Sequence, residues 1–152
     1  MTPHNDIIIE TINKYLPKNE YEWELVGFIN KDKEIFAFGN DSKIIGRLFE
    51  VVATDALINA GKELGYKLGE TAEQTVYPDF YFIKPNGKRI AIDIKTTYRK
   101  FNRNGEVSKF GFTGGSFTSF MRNGTKNIDG HYNDYDGHYI IGVLYSREDE
   151  PT

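Results

Sequence analysis

Residues 78–95 read PDFYFIKPNGKRIAIDIK, and the fold turns on them. Two runs of aromatic and β-branched residues flank Pro85-Asn86-Gly87. Pro at the first turn position, Asn next and Gly where a positive φ is required predict a three-residue hairpin loop. Strands are expected over 77–84 and 88–98. With Lys84 and Lys88 flanking the loop, residues whose numbers sum to 172 face each other, which sets Asp79 opposite Asp93. Cross-strand partners on one face have Cβ atoms about 4.5–5.5 Å apart, so two carboxylates there repel unless a cation sits between them. Alternation turns Ile90, Ile92 and Ile94 to the core and Ala91, Asp93 and Lys95 to the other face, small Ala91 leaving room beside the acids. Hard oxygen ligands suit Mg²⁺. A lysine beside such a site orients or deprotonates a water, or stabilises charge developing on a phosphate. The bland alternative is a solvated Asp79–Lys95 ion pair.

Outward from the hairpin, residues 5–16 read as a helix with Asn5 as N-cap and Ile8, Ile12 and Leu16 at helical spacing, stopped by Pro17. Residues 21–37 read as an aromatic-rich hairpin around Asn30–Lys33. Asp41 or Ser42 caps a long helix that ends near Gly65, with Ile44, Ile45, Leu48, Val52, Leu57 and Ile58 as its apolar stripe. Tyr66–Leu68 is a possible short strand. Residues 99–113 read as a basic loop leading into a short strand, and 114–127 as a polar loop with a short helix around Thr118–Arg122. Tyr139–Ser146, YIIGVLYS, reads as a buried core strand. The order αββαβββ predicts a mixed α/β domain around one sheet.

The chain has 152 residues, a length that favours one domain. Its apolar share of 39% and its 21 Phe and Tyr suffice for a packed core and exclude a disordered protein. There is no cysteine, so a disulfide scaffold, a Cys nucleophile and a thiolate zinc site are excluded. The N-terminal residues lack the pattern of a signal peptide, and no apolar run approaches the ~20 residues of a membrane span. A cytoplasmic protein with no membrane partner is expected. Net charge is −3, yet its distribution is uneven: −5 over residues 1–75, +7 over 76–128 and −5 over 129–152. A basic middle between acidic ends suggests one surface for a polyanion. The acids left in the basic block are Asp79, Asp93 and Glu106.

Pro78-Asp79, thirteen residues, then Asp93-Ile94-Lys95 resembles the signature of the PD-(D/E)XK nucleases. The stretches YPDFYFIKP, KRIAIDIKTTY, GGSFTSFMRNGTKNI and YIIGVLYSR are closely similar to type II restriction endonucleases of the EcoRV kind. The resemblance runs from about residue 25 to about residue 147. It implies a restriction-endonuclease-like fold, a mixed central β-sheet flanked by helices. It divides the chain into an N-terminal helix and hairpin for dimerisation, about 1–38, and a catalytic core, about 39–148. It implies that Asp79 and Asp93 bind metal, with the carbonyl of Ile94 as a further ligand, that Lys95 is the catalytic lysine, and that Glu50 is an auxiliary acid near the metal. Gln74 and Thr75 match a loop near the DNA minor groove, where Glu73 replaces a second Gln of the family. Ser42, Lys43, Thr97, Tyr98, Thr118, Ser119 and Lys126 match positions on or near the DNA backbone, a task that hydroxyls and a lysine suit. Read alone, Glu50 is an exposed helix carboxylate and the others are surface polar residues. The 85–87 turn is shorter than in the relatives by an even number of residues, which preserves the facing of Asp79 and Asp93. The C-terminal recognition region of the relatives is expected to have no counterpart here.

The function expected is therefore Mg²⁺-dependent cleavage of palindromic double-stranded DNA to 5′-phosphate and 3′-hydroxyl ends by a homodimer, with Trp23, Phe28, Phe36 and Phe38 available at the interface. Mn²⁺ is expected to substitute and Ca²⁺ to support binding only; GATATC is the default site by resemblance. Two alternatives stand: a truncated DNA-binding or dimerising fragment impaired in catalysis, and a repair or junction-resolving nuclease of the same fold.

Overall fold

The structure is a computed structural model that describes residues 6–39, 41–71, 76–99, 102–106 and 128–146. The expected polar loop and short helix at 114–127 lie outside the described residues, as does most of the basic loop. The chain divides into two compact units, Met1–Leu68 and Gly69–Thr152.

In the first unit, α1 (Ile7–Tyr15) begins at Asp6, whose carboxylate accepts from the Ile8 and Ile9 amides. The cap is thus Asp6, one residue beyond the expected Asn5. Helix α1 packs on α3 (Ser42–Leu64), with Ile12 buried and Lys14 and Tyr15 both reaching Glu63. Asp41 caps α3 by accepting from the Lys43 and Ile44 amides at 2.9 and 3.3 Å. Gly65 ends it in the left-handed region at φ 75°, which a residue without Cβ adopts freely.

Of the expected row of large aliphatics on α3, Leu57 is fully buried, while Ile44, Ile45, Leu48 and Val52 are only partly covered. The buried face consists of Phe49, Ala53, Ala56, Leu57, Ala60 and Gly61, whereas Ile58 is exposed. Both sets have helical spacing, but small residues permit close approach at the contact and so take the buried side. The expected hairpin over 21–37 is also shortened. Glu20–Trp23 is a helical turn, α2, and the hairpin keeps only β1 (Phe28–Ile29) and β2 (Ile35–Phe36). The Glu22 carboxylate accepts from the Lys18 and Asn19 amides at 3.1 Å, and this local cap outweighs the β propensity of the aromatics.

In the second unit a mixed sheet runs in the order β3-β4-β5-β6. Strand β3 (Lys67–Glu70) spans the junction of the units; β4 is Phe80–Ile83, β5 Arg89–Tyr98 and β6 Tyr135–Tyr145. The pairing of β4 with β5 is antiparallel, with Phe80 opposite Ile92 and Phe82 opposite Ile90, the register expected from the turn. Gly87 has φ 84°, and the Lys84 amide donates to the Lys88 carbonyl at 2.8 Å to close the loop. Strands β5 and β6 are parallel, so β6 arrives through a long crossover. It starts four residues earlier than expected and is only partly covered: Ile140 is 62% exposed. Phe80, Phe82, Ile90 and Ile92 form the innermost layer of this sheet. Mixed α/β is thus the fold class; the hairpin keeps its expected register, but β4 covers only Phe80–Ile83 of the expected 77–84, so Asp79 precedes it.

Candidate metal centre and active site

Asp79 lies one residue before β4, and its carbonyl accepts from the Thr71 amide at 3.3 Å. Crossed hydrogen bonds fix its side chain and that of Asp93. The Ile94 amide donates to Asp79 Oδ2 at 2.8 Å, and the Asp79 amide donates to Asp93 Oδ1 at 3.2 Å. The Asp79 carboxylate is thus held by β5 and the Asp93 carboxylate by the Asp79 backbone. Asp93 is 4% exposed, and its Oδ2 is buried as well. Facing that oxygen is Lys95 Nζ, 2.5 Å away. At that distance the ammonium donates to the carboxylate, a charge-assisted pair that offsets the cost of burying Asp93.

Two carboxylates linked by crossed hydrogen bonds, with an ammonium beside them, fit a hard cation such as Mg²⁺, which takes one or two carboxylates and keeps several waters. Among the described residues no group of three or more His, Cys, Asp or Glu is assembled. The bland alternative, an Asp79–Lys95 ion pair, is not what forms: the lysine faces Asp93.

Ala91 is fully buried, so the room beside the acids is filled. Tyr77, Tyr135 and Ile128 cluster on it, with Tyr81 packed against them. Burial pushes the Tyr77 hydroxyl far above the usual tyrosine range, and the nearby charge of Asp93, then the Tyr135 phenol and the Asp79 charge, push the same way. Tyr77, Tyr135 and His138 were not marked by the sequence. The available signal was alternation along β6, where His138, Ile140 and Gly142 align with Ala91, Asp93 and Lys95; the polar Asp136 and His138 disguised it.

The other expected site residues belong to several elements. Thr97 continues the face of Asp93 and Lys95 along β5, while Tyr98 turns to the opposite face and meets the Tyr145 ring at 6.3 Å. Ser42 and Lys43 form the first turn of α3. Glu50, two turns on, is half-buried and accepts from Arg47 at 2.8 Å. Gln74, Thr75, Thr118, Ser119 and Lys126 lie outside the described residues.

The family profile described as restriction endonuclease EcoRV matches residues 19–152. The chain belongs to the EcoRV restriction endonuclease family. A curated relative, the type II restriction enzyme EcoRV of Escherichia coli, is 38% identical over 140 residues, covering 91% of this chain and 55% of that enzyme. The chain thus spans about half the length of the curated relative it matches. Membership in the EcoRV family accords with the mixed sheet and with the Pro78-Asp79…Asp93-Ile94-Lys95 hairpin at its centre. Among the described residues no helix is long and apolar enough to cross a membrane.

Proposed function

We propose that this chain carries the catalytic centre of a Mg²⁺-dependent type II restriction endonuclease that hydrolyses palindromic double-stranded DNA in the cytoplasm, leaving 5′-phosphate and 3′-hydroxyl ends. The observation that carries the reading is the Asp79–Asp93 clasp, with Lys95 Nζ paired to the buried Asp93 carboxylate. Asp79 and Asp93 would hold the metal, with the Ile94 carbonyl as a further ligand and Glu50 as an auxiliary acid. When bound, Mg²⁺ supplies positive charge to the scissile phosphate and its leaving oxygen. Lys95 orients the attacking water and stabilises charge growing on the phosphate. Asp93, buried beside it, holds that ammonium in place.

The DNA backbone would be met by Ser42, Lys43, Thr97, Tyr98, Thr118, Ser119 and Lys126, with Gln74 and Thr75 at the minor groove. The +7 charge of residues 76–128 supports such a surface. A two-fold homodimer would set one site on each strand of a palindrome. The exposed apolar hairpin supports it: Val26, Ile29, Ile35 and Phe36 are each more than half exposed on the single chain. Trp23 does not join them, since its ring packs on Phe49 at 6.1 Å and its Nε1 donates to the Pro17 carbonyl.

The test is incubation of the intact chain with plasmid DNA and Mg²⁺. Linear product is expected from the parent, and none from Asp79→Ala, Asp93→Ala or Lys95→Ala, with DNA binding in Ca²⁺ retained. Cleavage at the parental rate by Asp93→Ala would sink the assignment. Binding without cleavage by the parent would instead identify a DNA-binding fragment.

A further inference from the structure

Asp79 lies just before β4, tied to Asp93, Ile94 and the Thr71 amide by hydrogen bonds. What holds the chain immediately before it is Tyr77. The Tyr77 carbonyl accepts from the Asp129 amide at 2.8 Å, and the residue bridges Ile128. Its side chain is 4% exposed and packs with Ala91, the central-strand residue two before Asp93. The hydroxyl ends 3.1 Å from His138 Nδ1 on β6, the residue aligned with Ala91. His138 is itself fixed: its ring stacks with Tyr132 at 5.6 Å and 16°, and lies 5.6 Å from Tyr135. The Tyr77 side chain is thus a strap from the residue before Pro78-Asp79, over Ala91, to the far neighbouring strand.

We infer that the Tyr77–His138 hydrogen bond is a positioning device that holds Asp79 at the distance from Asp93 that a divalent cation needs. The inference rests on the reading of Asp79 and Asp93 as metal ligands. Neither Tyr77 nor His138 touches the cation; they act through the backbone of residues 77–79. Alanine at position 91 is part of the device, because a larger side chain would occupy the path of the strap. The hydrogen bond matters most without metal, when no cation joins the two carboxylates.

The probe is Mn²⁺ alone, titrated into the intact chain while free Mn²⁺ is counted by electron paramagnetic resonance. Tyr77→Phe removes the hydroxyl and keeps the ring; His138→Phe keeps a stacking ring and removes the ring nitrogen. Each is expected to weaken Mn²⁺ binding about three- to tenfold, at the lower edge of the roughly 10–100-fold seen when groups that touch a ligand are lost. The double variant should bind no worse than the weaker single, since both remove one bond. His138→Gln, which retains a hydrogen-bonding end, should bind within about twofold of the parent, a rescue that mere loss of packing would not give. Asp93→Ala should lose binding. Unchanged affinity in both phenylalanine variants, losses that multiply in the double, or failure of the Gln rescue would overturn the positioning role while Asp93→Ala still shows the metal site to be real. Parental binding by Asp93→Ala would overturn both readings together.

Discussion

At the scale of single residues, burial decides what the phenols around Ala91 do. Tyr135 is 7% exposed, and its hydroxyl donates to the Asp129 carbonyl at 2.7 Å. Burial pushes its pKa up to about 12, against the opposing pull of Arg89. A group whose folded pKa is raised contributes stability that is fully present below its unfolded pKa and lost as pH rises through the folded value. The window here runs from about 10 to about 12. Urea unfolding on either side of pH 10 should therefore show the parent losing stability as pH rises, with a shallower loss in Tyr135→Phe. Equal slopes in the two proteins would show that the phenol titrates as freely folded as unfolded. Asp79, Asp93 and Lys95 were legible in the sequence because a hairpin's register is local arithmetic. Tyr77 and His138 were not, because their meeting depends on a parallel strand that arrives from over forty positions away, a separation no local pattern encodes.

Among the elements, those whose signals are local came through. The Pro85-Asn86-Gly87 turn and the alternation beside it determined β4 and β5. Asp41 and Gly65 marked the two ends of α3 through a side-chain acceptor and a left-handed cap. Asp41→Ala removes the acceptor for two first-turn amides and should cost about 1 kcal/mol. Thermal or urea denaturation measures this directly; a change near zero would mean that water replaces the carboxylate without loss. Where signals competed, the sequence was ambiguous. Glu22 capped a short helix among residues of high β propensity, and alanines claimed the buried side of α3 over isoleucines. The burial of β6 was overstated, since Tyr139–Tyr145 reads as continuous apolar sequence while Ile140 faces outward.

On the scale of the whole molecule, the apolar surface left on the first unit is the feature with the largest consequence for assembly. Ile29 is 67% and Ile35 63% exposed beside Phe36, a cluster of large side chains that a lone chain gains by covering. If the proposed homodimer uses it, Phe36→Asp should shift the protein to monomer at concentrations where the parent is dimeric. Sedimentation velocity across a dilution series reads this. A parent that stays monomeric at every concentration, with and without DNA, would overturn the dimer and favour a nickase that cuts one strand per encounter. The family was legible from the hairpin and the flanking stretches. The carry-over of Glu50 was not a matter of pattern at all, since a helix carboxylate paired with Arg47 carries no mark of catalysis.

The crossed hydrogen bonds between Asp79 and Asp93 give the site its own spectroscopic voice. In an ordinary strand an amide proton senses a neighbouring carbonyl, whose charge never changes. Here the Ile94 amide senses the Asp79 carboxylate, and the Asp79 amide senses that of Asp93. Whatever withdraws electron density from one acid, whether a proton or a cation, changes the proton resonance attached to the opposite strand. Two backbone signals therefore record separately the occupancy of two side chains that sit together, and the order in which they respond would tell which carboxylate engages first.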